Sequence, residues 1–219
     1  MGVPESTKLR ELTAAELAEE RRKGTLILDT RPAEQFAAIH ILGSVQISLL
    51  GHFASWAAIL LDPTDKLLLV SENRKSAQEA HNRLARVGLE HVIGFTLANE
   101  REWRKEGIEL GSISTYRCAD VSSLLQGGRP VQLVDVRSRA EWLKGHLPGA
   151  ISIPLLDLEL KADCIDPSKR SLVYCHEGYR ATTAASLLFR EKSGNIGILI
   201  DGVEGWSACG LPFEMPETM

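Results

Sequence analysis

Residues 175–180, with the sequence Cys-His-Glu-Gly-Tyr-Arg, combine the residue types of a reactive thiol site. They follow an apolar run at 171–174 and lead into residues 181–190, whose composition is typical of a helix. A cysteine between a buried strand and a helix start lies where backbone N–H groups and the helix dipole favour an anion. We therefore expect Cys175 to have a depressed pKa and to act as a nucleophile.

The residues after Cys175 indicate how the loop would stabilise a sulfur anion. Gly178 permits the positive φ that a tight curl needs, and such a curl brings several N–H groups together as an anion-binding nest. Arg180 adds a fixed positive charge at the helix start. These groups would stabilise a thiolate, and equally a persulfide carried on the same sulfur. Glu177 would raise the thiol pKa if it were close, so we expect it to point into solvent, where its charge is screened.

The roles of the other loop residues and of the cysteines follow from their residue types. His176 either meets a substrate anion or faces solvent, and Tyr179 is a candidate to line the entrance. Because free cysteine is among the most buried residue types, a structural role at the strand end competes with a reactive one. The remaining cysteines form no CxxC pair and no Cys/His cluster with zinc spacing, so we expect them to be inert and expect no metal or other cofactor; they are Cys118, Cys164 and Cys209.

The two halves of the chain align with each other in long blocks, which indicates a tandem duplication. The matched positions include Asp29 with Asp135, Arg31 with Arg137, Phe36 with Trp142, His40 with His146, and Trp103 with Trp206. We predict domains at 1–110 and 111–219, joined by the short polar connection at 107–115. Residues shared by both copies are expected to serve the fold: the histidines by hydrogen bonding, the Asp and Arg by local ion pairing, and the tryptophans by packing. Arg137 and Glu141, four apart, would pair if their segment is helical.

The elements of each half predict an α/β fold. In the first half the pattern gives a capping box from Thr13 to Glu16, strands at 26–28, 67–70 and 92–95, and a helix at 76–87. Strands without polar alternation, separated by helices, favour a parallel sheet with helices on both faces. Ligands of such sheets bind beyond the carboxyl ends of the strands, which is where Cys175 lies.

The composition excludes several classes of function. The chain has 219 residues, 44% hydrophobic and 25% charged, with a formal net charge of -4 and no long basic run. The sequence therefore lacks the clustered positive charge that is typical of nucleic-acid-binding proteins. No apolar stretch approaches the ~20 residues that cross a bilayer, and the N-terminus lacks a signal-peptide core. With few cysteines, we expect a cytoplasmic protein.

The pattern Cys175-x-x-Gly178-x-Arg180 resembles the active-site loop of the rhodanese sulfurtransferase family. Residues 135–151 resemble the family's N-terminal signature, and residues 201–206 with 210–212 resemble its C-terminal one. The resemblance implies two rhodanese-like domains and a Cys175 persulfide that forms from thiosulfate or a low-molecular-weight persulfide and passes its sulfur to a thiol or cyanide. It also implies that Arg180 attracts the donor's anionic group, and that the intervening residues bind substrate; these are His176, Glu177, Gly178 and Tyr179.

The first half resembles the same family without its chemistry. Ser71 stands where the cysteine belongs, Arg74 replaces the glycine and Ser76 replaces the arginine. A serine hydroxyl with no base is a poor nucleophile, so we expect this half to be catalytically silent. A silent first copy before an active one also resembles the C-terminal pair in fusions to a metallo-β-lactamase-fold persulfide dioxygenase, which makes such an enzyme a candidate partner.

Two other functions remain open alternatives. A rhodanese-like phosphatase or arsenate reductase has one more residue between cysteine and arginine, whereas four residues separate Cys175 from Arg180 here. A non-catalytic persulfide carrier or interaction module is the other alternative, because a silent domain is often kept for its surface. The partners expected for the enzyme are a small-molecule sulfur donor and a thiol acceptor.

Overall fold

The computed structural model describes residues 9–128, 130–191 and 195–215. Its contacts divide the chain into two compact units, one of Met1–Pro32 with Ser44–Leu110 and the other of Ala33–Gly43 with Gly111–Met219. This division differs from the predicted bounds, 1–110 and 111–219, at residues 33–43. That segment groups with the second half because the Ile113 N–H donates to the Ala37 carbonyl at 2.8 Å, a long-range contact that no local pattern reveals.

Helices and strands alternate along most of the described chain. The α-helices are α1 Ala14–Arg22, α2 Ala33–Ala38, α3 Phe53–Leu60, α4 Arg74–Ala85, α5 Glu100–Lys105, α6 Cys118–Gln126, α7 Arg139–Trp142, α8 Leu158–Lys161, α9 Tyr179–Glu191 and α10 Gly202–Ala208. The strands are β1 Leu26–Asp29, β2 His40–Ile41, β3 Val45–Gln46, β4 Leu67–Ser71, β5 Val92–Leu97, β6 Leu110–Gly111, β7 Ser114–Tyr116, β8 Val131–Asp135, β9 Ile151–Ser152, β10 Arg170–Tyr174 and β11 Ile196–Leu199. Short 3-10 turns flank α8 at Leu155–Asp157 and Ala162–Cys164.

The first unit contains a four-stranded parallel sheet in the order β3-β1-β4-β5. β4 is buried along its whole length, as expected for an apolar strand covered on both faces. The capping box of α1 is confirmed: the Thr13 hydroxyl accepts from the Glu16 N–H at 3.3 Å, and the Thr13 N–H donates to the Glu16 carboxylate at 2.9 Å. The helix predicted at 76–87 begins earlier, because the Asn73 side chain caps α4.

The second unit contains a five-stranded parallel sheet in the order β7-β11-β10-β8-β9. The prediction of an α/β fold with parallel sheets and helices is therefore confirmed in both units. The connection predicted at 107–115 includes the start of β7, a strand whose Ser114 and Thr115 side chains are exposed. A short polar strand at a sheet edge lacks the apolar signal by which the other strands were predicted.

The core of the second unit supports the central strand β10 from both sides. Tyr174, Leu133, Leu199 and Trp206 belong to one buried cluster. The Trp206 indole N–H donates to the Pro212 carbonyl at 2.8 Å, so the predicted packing role of this tryptophan is confirmed. Within the described ranges, no helix has both the length and the apolar character needed to cross a membrane.

Candidate active site

Cys175 follows the last residue of β10, at the carboxyl edge of the sheet, and α9 begins four residues later at Tyr179. Backbone N–H groups of three residues donate to the Cys175 sulfur: Ala181, Glu177 and Arg180. The loop therefore curls around the sulfur, and the first turn of α9 adds its N–H groups to the same point. This is the geometry in which a sulfur anion is stabilised by main-chain dipoles.

Glycine is required at two positions around this loop. Gly178 has φ +81°, and a Cβ there would lie 2.2 Å from the Ile200 carbonyl oxygen. Gly202 has φ +53°, and a Cβ there would lie 2.4 Å from the His176 carbonyl oxygen. The positive φ predicted for Gly178 is confirmed. The need for Gly202 was missed, because its Cβ would collide with a loop that lies 26 residues away in sequence.

The start of α10 holds the loop from the other side. The Val203 N–H donates to the Cys175 carbonyl at 2.9 Å, and the Glu204 N–H donates to the His176 carbonyl at 3.1 Å. These bonds satisfy loop carbonyls with N–H groups that a helix start leaves free. They also place the backbone of Glu204 beside the reactive loop.

The Arg180 side chain is engaged by a carboxylate. Its guanidinium donates two hydrogen bonds to Glu141, at 2.7 and 2.8 Å. The predicted pairing of Arg137 with Glu141 is therefore wrong. Arg137 instead donates to Asp135 at 2.6 to 3.0 Å, which confirms the local Asp–Arg pair, since the side chain two residues away reaches the guanidinium without any helical turn.

The ion pair with Arg180 dominates the electrostatics of Glu141. Hydrogen bonds from Arg180, the largest effect, together with bonds from Ser138 lower the pKa of Glu141 to about 2, against the opposing effect of burial. The same pair raises the pKa of Arg180. Both groups are charged at neutral pH, and their charges largely cancel. The pairing of Glu141 with Arg180 is not among the sequence-based predictions.

The predicted depression of the Cys175 pKa is wrong in direction. The side chain is 1% exposed, and this burial raises the pKa of the thiol, while the Ala181 amide, the Arg180 charge and the other loop amides act to lower it. Removal from water penalises the thiolate more than the surrounding dipoles stabilise it. A buried sulfur that accepts hydrogen bonds from backbone amides is suited to receive a single sulfur atom from a donor.

A second buried network lies behind the loop. The Arg137 guanidinium also donates to the Gly145 carbonyl at 2.9 Å, and the Tyr174 hydroxyl accepts from the Leu147 N–H at 3.2 Å. Burial, followed by the charge of Asp135, raises the pKa of Tyr174. These contacts fix the residue that precedes Cys175 and are structural.

The histidines at equivalent positions of the two halves pack within the fold, as predicted from their occurrence in both halves. His146 stacks on Trp142 with ring centroids 3.4 Å apart, and its Nδ1 lies 3.5 Å from the Trp142 carbonyl. His40 stacks on Phe36 in the same way, with Nδ1 2.9 Å from the Phe36 carbonyl. Neither histidine is needed to explain the site.

The outer face of the loop is charged and open to solvent. His176 and Glu177 are exposed, as expected for Glu177, and Tyr179 is half-buried at the start of α9. A cavity of about 700 Å³ lies beside the loop, and its lining includes His176, Glu204, Lys144 and Phe213. The structure thus brings His176 to this cavity; substrate binding by the loop residues stays a prediction.

The matching strand end in the first unit has none of these features. Strand pairing sets Asp29 opposite Val70 and Asp135 opposite Tyr174, so Ser71 corresponds to Cys175. The Ser71 hydroxyl lies 2.8 Å from the Thr30 hydroxyl and is fully buried. The helix α4 begins three residues after Ser71, so this loop is one residue shorter than the Cys175 loop.

Cys118 and Cys209 form a disulfide, with Cα atoms 6.9 Å apart. The expectation that these thiols are inert is therefore wrong for this pair. The prediction failed because the two residues are 91 apart in sequence and meet only when α6 packs beside the end of α10. The bond ties the helix that supports the reactive loop to α6. Cys164 is a free, exposed cysteine.

Comparisons with known proteins agree on one family. A family model described as the rhodanese-like domain matches residues 13–96 and 118–209. A sulfurtransferase of Allochromatium vinosum is 30% identical over 97 residues, which is 44% of this chain and 91% of that protein. The thiosulfate sulfurtransferase GlpE of Coxiella burnetii is 28% identical over 80 residues, 36% of this chain and 75% of that protein. The putative sulfur carrier protein YrkF of Bacillus subtilis is 27% identical over 77 residues, 35% of this chain and 42% of that protein.

Proposed function

The chain belongs to the rhodanese-like family, and from this premise we propose that it is a sulfurtransferase that carries sulfane sulfur on Cys175. The observation that supports this most is the set of backbone N–H groups that converge on the Cys175 sulfur. The relatives described as sulfurtransferases support the same reaction class. Thiosulfate or a low-molecular-weight persulfide is the donor, and a thiol or cyanide is the acceptor.

In the first step the Cys175 thiolate attacks the terminal sulfur of the donor. A bond forms between the two sulfurs, the donor's own sulfur bond breaks, and its electron pair leaves with sulfite or with a thiolate. The terminal sulfur stays on Cys175 as a persulfide. Glu177, Arg180 and Ala181 would hold the charge through their N–H groups, at a point where the helix dipole also favours it.

In the second step an acceptor thiolate attacks the outer sulfur of the persulfide. The bond to Cys175 breaks, the electron pair returns to the Cys175 sulfur, and the acceptor leaves as a new persulfide. Sulfur oxidation states balance over the cycle, so no external oxidant or reductant is needed. The Arg180 charge acts to lower the pKa of the Cys175 thiol. Its guanidinium does not hold the donor, because Glu141 occupies it.

We propose that the first unit takes no direct part in this chemistry. Its buried Ser71 hydroxyl is engaged by Thr30, and its shorter loop has no glycine at the position that corresponds to Gly178. A persulfide dioxygenase is the candidate partner that the tandem arrangement suggests. The cytoplasmic location stays a prediction, and the disulfide does not favour it, since such bonds are rare in that compartment.

A persulfide carrier is the second candidate function. The similarity to a protein described as a putative sulfur carrier favours it, and near-complete burial of Cys175 would slow repeated exchange with solvent thiols. A rhodanese-like phosphatase is less favoured, because the four residues between Cys175 and Arg180 form a ring fitted to one sulfur atom rather than to a tetrahedral oxyanion.

A turnover assay with cysteine variants tests the proposal. The full chain is assayed for sulfur transfer from thiosulfate, and from glutathione persulfide, to a thiol acceptor. Cys175→Ser is expected to abolish turnover, and Cys164→Ser, a matched change at an exposed free thiol, is expected to retain it. One equivalent of sulfur loaded on Cys175 without turnover would favour the carrier, and retained turnover in Cys175→Ser would refute both.

A further inference from the structure

We propose that the cavity beside the Cys175 loop, which His176 of that loop lines, selects sulfur donors that carry a protonated amine over anionic donors such as thiosulfate, an inference that rests on the proposed function. The cavity is open to solvent and measures about 700 Å³, which leaves room for a donor larger than thiosulfate, and it is lined in part by Val203, Ala208 and Phe213. A site of this size and mixed lining fits a donor with an organic body.

Both arginines near the cavity are already neutralised. The Arg180 guanidinium makes a bidentate pair with Glu141, and the Arg137 guanidinium is bonded to Asp135 and to the Gly145 carbonyl. Arg137 is 5% exposed and Asp135 is fully buried, so this pair cannot open to a ligand without leaving a buried charge unpaired. A dianionic donor therefore meets no free guanidinium here.

The exposed charges around the cavity, on its lining and on the adjoining Glu177, are mainly negative. His176, Glu177 and Glu204 bring their side-chain ligand atoms within 4.8 Å of one another, and all three are exposed. Lys144 is the exposed cation in the lining. Two carboxylates against one ammonium give this rim a negative potential when the imidazole is neutral. A donor that brings an ammonium group is attracted, and a donor that brings only negative charge is repelled.

Glu204 is the residue that sets this preference most directly. Its backbone N–H donates to the His176 carbonyl, which places the residue next to the reactive loop, and its side chain lines the cavity. Its side chain is exposed, and replacing it by the isosteric amide removes the charge without disturbing the backbone contact. Glu204 is therefore a specificity-determining residue in this account and has no part in the bond-making steps.

Two persulfides of similar length test the inference. Cysteamine persulfide carries an ammonium group and no carboxylate, whereas mercaptopropionate persulfide carries a carboxylate and no ammonium group. We compare kcat/KM for these donors and for thiosulfate at pH 8 and low salt, with one thiol acceptor throughout. The wild-type chain is expected to prefer cysteamine persulfide over mercaptopropionate persulfide.

Glu204→Gln is expected to reduce this preference about three- to tenfold, because it removes one charge near the bound donor. It is expected to lower kcat/KM for cysteamine persulfide and to raise it for the two anionic donors, and the difference should shrink as salt is added. Glu204→Lys should move the preference further in the same direction. Glu159→Gln, at an exposed site on α8, is the charge-matched control.

The outcomes separate this inference from the function on which it rests. Equal changes for all three donors in Glu204→Gln, or the same shift in Glu159→Gln, would overturn the charge preference while Cys175-dependent turnover stands. A wild-type chain that transfers sulfur from none of these donors would overturn the proposed function instead. A wild-type preference for thiosulfate would also refute the inference.

Discussion

Glu141→Gln tests how the reactive loop is held, through the ion pair that Glu141 makes with Arg180. A carboxyl group whose pKa falls from about 4.3 in an unfolded chain to about 2 in the folded protein contributes roughly 3 kcal/mol at neutral pH. The Glu141 side chain is 31% exposed, and screening by solvent reduces the expected value to about 1–2 kcal/mol. Glu141→Gln should lower the free energy of unfolding by this amount at pH 7.

The loss should depend on pH in a defined direction. The folded-state pKa of Glu141 lies below the unfolded one, so on acidification the unfolded chain takes up a proton before the folded protein does. The stabilisation is therefore complete above about pH 5 and declines as the pH falls towards 2. The difference between wild type and Glu141→Gln should shrink over the same range.

Urea denaturation at several pH values, followed by tryptophan fluorescence, measures this difference. Glu159→Gln is the control, because this side chain on α8 is exposed, and it should stay close to wild type at every pH. A Glu141→Gln variant as stable as wild type at pH 7 would refute the reasoning. A deficit that stays constant down to pH 3 would refute it too, since the loss would then come from packing rather than from charge.

Further predictions concern the thiol, the silent unit and the disulfide. Arg180→Ala should slow persulfide formation on Cys175 about tenfold at pH 7, with recovery at alkaline pH, because loss of the nearby positive charge raises the thiol pKa; a pH-independent defect would argue against this. Ser71→Cys should gain no persulfide at position 71 by mass spectrometry, and extra sulfur there would show that the shorter loop suffices. Cys118→Ser should lower the free energy of unfolding by up to about 4–5 kcal/mol by releasing a long loop, and urea denaturation that is identical with and without dithiothreitol would contradict a disulfide to Cys209.

The fold was predictable because the sequence patterns that indicate its strands and helices are local. The mostly apolar strands β1, β4 and β5 lie within a few residues of their predicted ends. The capping box of α1 and the positive φ of Gly178 were also readable, since each depends on residue types only a few positions apart. The pairing of Asp135 with Arg137 was predictable for the same reason, because the two residues are two positions apart.

The rest of the site depends on contacts between distant residues. Glu141 and Arg180 are 39 residues apart, and nothing in either segment indicates that the two would meet. The burial that raises the Cys175 pKa comes from packing of α9 and α10 around the loop, which sequence motifs do not encode. The polar strand β7 was missed because at a sheet edge backbone pairing, not side-chain burial, defines the strand.

Peptide mapping by mass spectrometry after a single addition of donor is the most direct test of the central claim, that the amide-held sulfur of Cys175 accepts sulfane sulfur. The wild-type chain is treated with thiosulfate or cysteamine persulfide, alkylated and digested. We predict one added sulfur on the peptide that contains Cys175, lost again on addition of a thiol. Added sulfur confined to the exposed Cys164, or absent from both peptides, would contradict it.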